Sequence, residues 1–156
     1  MKLKPIHFER SWPYVGAVAV VAIWLYVGGD STFPSDPLPM LAAAGTVASV
    51  LVGFIITAET IVLGLTGTPV FKKLAATGYA GMLFNYLHEA LWGALCFLVV
   101  SFLGFFTLQA PTPPLQAGGV PEWFATLFVA CAVGSILLFV RISIILSSLL
   151  KNASKS

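Results

Sequence analysis

Charge is what this chain has least of. Only 9% of its 156 residues are Asp, Glu, Lys or Arg, while 58% are hydrophobic. A water-soluble domain carries about 25% charged residues. A chain this poor in them has too little to wet a globular surface, and residence in a membrane is the reading left. The net charge of +2 gives nucleic acid little to bind, and no basic run or RNA-binding aromatic motif is present, so no nucleic-acid partner is expected. Cysteine is nearly absent too. Cys96 and Cys131 fall in apolar runs, with no C-x-x-C and no His at ligand spacing. They read as small hydrophobes packed in helices, with a disulfide or metal role left as the alternative. Also missing are a Walker loop, H-E-x-x-H, G-x-S-x-G and histidines at haem-ligating spacing. No enzyme activity, cofactor or metal site is expected.

What the chain has instead is apolar length. A bilayer crossing takes ~20 predominantly apolar residues, and four segments qualify: about 12–27, 38–65, 82–108 and 123–150. The first is short and carries Trp12, Tyr14, Trp24 and Tyr26 as interfacial anchors. GGDSTFPSDPLP and QAPTPPLQAGGVPE separate spans through their Pro and Gly. The middle connection, TGTPVFKKLAATGYA, predicts a short interfacial helix, with Thr68 as N-cap, Pro69 at the first helical position and Gly78 ending the turn. The fold class expected is all-α: an integral membrane four-helix bundle, one transmembrane domain over residues 1–156.

Two connections contain no Lys or Arg. The basic residues outside the spans are Lys2, Lys4 and Arg10 before the first, Lys72 and Lys73 between the second and third, and Lys151 and Lys155 after the fourth. By the bias of Lys and Arg toward the cytoplasm, both termini and the middle connection are expected to be cytoplasmic. The first span has a basic n-region but no small-x-small cleavage site after it, so an uncleaved anchor is expected.

In lipid, helices associate where small residues let backbones approach. Gly45, Ser49, Gly53, Thr57, Thr60 and Gly64 form one stripe of the second span, which predicts a packing or oligomer face and makes this helix the most buried. Ala130 and Gly134 begin a weaker stripe in the fourth, passing through Arg141 and Ser148. An ionisable side chain in hydrocarbon costs about 2.5–3.5 kcal/mol on insertion scales. Four stand in the spans: Glu59, His88, Glu89 and Arg141. Glu59, Glu89 and Arg141 each fall roughly 12–15 Å from the cytoplasmic end of their helix, which predicts one layer with Arg141 bridging the two carboxylates. Asn85, His88, Glu89, Trp92 and Cys96 share a face of the third span by spacing, and that face is expected to point into the protein rather than to lipid. The layer reads either as helix glue or as part of a hydrated ion or proton path.

The stretch 44–104 carries Ala44-Gly45-Thr46 opening the second span, a Leu-Gly closing it, the basic turn at Lys72-Lys73, Gly78-Tyr79, and Glu89 followed by Gly93-Ala94-Leu95. In these features it resembles the small four-span membrane proteins of phage-exclusion systems, of the kind found in the lambda Rex system. The resemblance implies an inner-membrane protein that depolarises or permeabilises the membrane during infection, triggered by a cytoplasmic partner. Two basic residues in the connection, and its Thr-Pro start, depart from that pattern. Small multidrug exporters place an essential acid in the first span, where this chain has none.

The function expected is therefore a homo-oligomeric ion channel or pore-like effector, surrounded by membrane lipid. The alternatives are a non-conducting sensor or anchor that binds a cytoplasmic protein through Lys72 and Lys73, and a small proton-coupled transporter.

Overall fold

The computed structural model describes residues 6–29, 34, 36–76, 78–109 and 120–153. Five helices follow in order: α1 (Ile6–Tyr26), α2 (Leu38–Gly64), α3 (Pro69–Ala76), α4 (Tyr79–Gln109) and α5 (Glu122–Ala153). There is no strand among the described residues. Most of both Pro- and Gly-rich connections, with Lys2, Lys4, Asp30 and Lys155, lies outside them.

Local chemistry sets the boundaries. Pro37 precedes α2 and Pro39 stands in its first turn, where a missing N–H costs nothing because no intrahelical acceptor exists there. The Thr68 hydroxyl accepts from the Phe71 N–H at 3.3 Å, the expected N-cap bond for α3. Gly78 then turns the chain at φ +73°, a left-handed conformation that a side chain resists. The predicted spans match α2, α4 and α5 to within three residues at each end. α1 differs: it starts six residues earlier than expected and runs through Pro13, whose ring is fully buried. Polar residues ahead of Trp12 marked a boundary in hydropathy that the backbone does not observe.

Three helices, α2, α4 and α5, are long and apolar enough to cross a membrane, as in a membrane protein. The apolar part of α1, Ser11–Tyr26, is shorter; at ~1.5 Å per residue it reaches roughly 24 Å against ~30 Å of hydrocarbon.

α4 is the centre of the packing, with α2, α3 and α5 against it and α1 laid on α5. Two cores result. One joins Ile55, Ala58 and Val62 of α2 to Leu83, Leu87, Ala90 and Ala94 of α4 and to Leu138 and Ile142 of α5. The other, nearer the opposite end of α4, gathers Leu41, Ala48, Phe97, Phe124 and Phe128, with the Phe97 and Phe128 rings 5.6 Å apart.

The small stripe of α2 is not what holds the helices together. Gly45 is buried, but Ser49, Gly53, Thr57, Thr60 and Gly64 are exposed, and a Cβ on Gly45, Gly53 or Gly64 would meet nothing within 4 Å among the described residues. Nor does α2 bury a larger share of its apolar window than α4 or α5. Its inner face is instead the row of Leu41, Ala48, Ile55 and Val62. Close approach occurs elsewhere. A Cβ on Gly93 would come within 2.8 Å of Leu138 Cδ1, and one on Gly104 would run into the Phe124 ring. Both are contacts of α4 with α5. The stripe beginning at Ala130 and Gly134 is no closer: a Cβ on Gly134 would also meet nothing within 4 Å.

Gly104→Ala is therefore expected to destabilise the purified protein by about 1–3 kcal/mol through overpacking. Gly134→Ala should leave it unchanged or slightly raise it. Denaturation midpoints in detergent compare the two, and equal effects would show that α4 and α5 do not meet at Gly104.

Candidate functional site

Arg141 is the residue that most needs an explanation. It lies on α5 among apolar neighbours and is 3% exposed, where an uncompensated guanidinium would be severely desolvated. Two groups from α4 answer it. Arg141 Nη2 donates to Glu89 Oε2 at 2.7 Å, and the guanidinium carbon stands 4.1 Å from the centroid of the Tyr86 ring. Positions 86 and 89 are three apart on one helix, so ring and carboxylate reach the same cation from one turn. The third contribution comes from α1. Tyr14 Oη donates to the same Glu89 Oε2 across 3.5 Å, a long and weak hydrogen bond. One carboxylate oxygen thus receives donors from α1 and α5 while belonging to α4. Glu89 itself is 25% exposed, so the pair sits at the edge of the packed interior.

The expected layer is only partly assembled. Arg141 does not bridge Glu59 and Glu89. Glu59 is half-buried in the row of α2 that faces the core, yet it makes no hydrogen bond or ion pair with any described residue. Glu89 is what brings Arg141 to α4, and Glu59 remains apart.

The face holding Asn85, His88, Trp92 and Cys96 also differs from expectation. These four are exposed, while Glu89 turns toward α5. The reason is rotational. Leu83, Leu87, Ala90 and Ala94 are buried, and at ~100° per residue the row 85, 88, 92, 96 falls roughly opposite them, with Glu89 on the flank between. Trp92 Nε1 donates to His88 Nε2 at 2.8 Å, a bond made along the outer surface of α4. Cys96 is exposed and Cys131 half-buried, and both are free thiols.

The hydroxyls of the α2 stripe bond to their own helix. Ser49 donates to the Gly45 carbonyl at 2.8 Å, Thr57 to that of Gly53 at 2.8 Å and Thr60 to that of Ile56 at 2.9 Å. Lys72 is exposed on α3; the side chain of Lys73 lies outside the described residues. Among the described residues no group of three or more His, Cys, Asp or Glu could hold a metal ion.

Tyr14 and Tyr86 are the site residues that sequence reasoning missed. Tyr14 read as an interfacial anchor and Tyr86 as one aromatic among many. The available signal was Tyr86 one turn before Glu89, a pairing suited to an arginine. Compared with family models, with curated proteins and with solved structures, the chain matches none.

Chemically, this arrangement stores charge rather than using it: a cation and an anion cancel inside one chain and tie three helices. Glu89→Ala alone should destabilise the protein toward the lower end of about 3–5 kcal/mol, because it strands Arg141. Glu89→Leu combined with Arg141→Met should recover most of that loss. Unfolding in mixed micelles measures both. A double variant as unstable as the single would mean that Arg141 is not held by Glu89.

Proposed function

We propose that the chain is a multi-pass protein of a bacterial inner membrane that assembles with copies of itself into an ion-conducting, pore-like effector. The observation that carries this reading is Glu59. It is a carboxylate on a helix long enough to cross the bilayer, half-buried on the inner face, with no partner among the described residues. Such a group is costly in hydrocarbon unless water or ions reach it. A single bundle fills its centre with side chains, so the conducting path reaches Glu59 from the boundary between copies. The exposed Gly53 and Gly64 and the internally satisfied hydroxyls of Ser49, Thr57 and Thr60 give α2 a low, smooth outer surface suited to such a contact. Positive-inside bias puts both termini and α3 on the cytoplasmic side, α3 in the headgroups, and α1 completes a fourth crossing by thinning the bilayer around it. The resemblance of 44–104 to phage-exclusion membrane proteins makes loss of membrane potential during infection the setting.

A second reading, the non-conducting sensor or anchor, is favoured by the closed Arg141–Glu89 pair, which behaves as helix glue, and by Lys72 standing exposed on α3. It places a cytoplasmic protein on α3, Lys72 and Lys73.

Purified protein in liposomes decides between the two. The wild type is expected to dissipate a potassium diffusion potential, and Glu59→Gln to change the rate several-fold without loss of folded protein. Absence of flux, together with a co-purifying partner lost on Lys72→Glu plus Lys73→Glu, would replace the channel by the sensor.

A further inference from the structure

The described Ser and Thr hydroxyls in the apolar stretches of α2, α4 and α5, Ser147 apart, are bonded to their own helix, and Arg141 is paired with Glu89. Ser101, Thr107, Ser135 and Ser143 bond back to carbonyls in the preceding turn just as the α2 hydroxyls do. The outer face of α4 is different. Asn85 is exposed and its amide makes no hydrogen bond among the described residues. His88 accepts from Trp92 through Nε2, so the neutral ring carries its proton on Nδ1, and that donor has no acceptor among them either. Lipid tails offer these groups nothing, and Asn and His in such positions bond across to another helix.

We propose that this face of α4 packs against the same face of a second copy of the chain, the two α4 helices running parallel about a two-fold axis along the membrane normal. The inference rests on the reading that α4 crosses the bilayer with Asn85 inside it. An amide carries a donor and an acceptor together, so it is complementary to itself, and a two-fold axis sets Asn85 against Asn85 at equal depth. A copy of the chain is the one partner certain to present that amide at that depth. The exposed row then continues: Asn85, His88, Trp92, Cys96, Val99 and Leu103 follow at steps of three and four, the spacing of a seam between parallel helices at a small crossing angle. A single Asn at one end of an otherwise apolar seam fixes register. The α2 stripe, with its hydroxyls already bonded, has no comparable demand for a polar partner.

Cys96 lies on this seam and serves as a native reporter. In membranes containing the Cys131→Ser protein, mild oxidation is expected to give a disulfide-linked dimer through Cys96. Asn85→Leu should lower its yield several-fold, and Asn85→Gln should retain most of it, at equal membrane levels. No Cys96 dimer, while Thr57→Cys in a Cys96→Ser, Cys131→Ser background cross-links efficiently, would leave the α2 contact as the only one between copies and overturn the proposal. So would Cys96 linked solely to a different protein, or monomer under every condition. Full labelling of Asn85→Cys by a membrane-impermeant maleimide would instead remove the premise about depth. Liposome flux is read independently, so neither result is confused with failure of the channel itself.

Discussion

A guanidinium shut away from water has to be answered by its neighbours, and in this protein Arg141 dictates much of what surrounds it. The answer comes from Glu89 and the face of Tyr86 on α4, with the Tyr14 hydroxyl of α1 added at the same carboxylate oxygen. Apolar contacts between helices in lipid are weakly directional, because tails and leucines are alike. A charged hydrogen bond is directional and tolerates little rotation or slip. The pair therefore fixes how α4 and α5 are turned toward each other, and the rest of the packing follows: Leu83, Leu87, Ala90 and Ala94 inward, and Asn85, His88, Trp92 and Cys96 outward.

What could be read from the sequence was whatever is local. Helix lengths follow from apolar runs, and the α3 cap at Thr68 and the turn at Gly78 follow from the chemistry of single residues. That Arg141 would need a carboxylate in the same layer was also legible, since burial of a lone charge is prohibitive. Which carboxylate it takes was not. Glu59 and Glu89 lie at similar depth, and the choice is made by the rotation of α2 and α4 about their own axes.

The small residues teach the same lesson. A run of Gly, Ser and Thr at steps of four looks like a packing face wherever it occurs. Whether it is one depends on what stands opposite, and opposite Gly53 and Gly64 the described residues place nothing. Gly93 and Gly104, outside any stripe, are the positions where Leu138 and Phe124 press in. The apolar stretch of α1 lies where hydropathy put it, but the helix is longer, because hydropathy falls at the polar residues ahead of Trp12 while the helical backbone continues through them.

The two cores of the bundle differ in kind, and this has a mechanical consequence. Around Phe97, Phe124 and Phe128 the helices are interlocked by broad, rigid rings. Around Ile55, Leu87 and Leu138 the contacts are aliphatic, and the Arg141–Glu89 pair, with the Tyr14 hydroxyl of α1 at 3.5 Å, lies at this end of the bundle. The α3 elbow meets α4 through Phe71 and Phe84, whose rings lie 6.4 Å apart, at the end of α4 remote from Phe97. The bundle is thus held at one end by the shape of interlocking rings and at the other by a charged hydrogen bond. Loss of that bond would be felt at the α3 end, with the aromatic layer still interlocked.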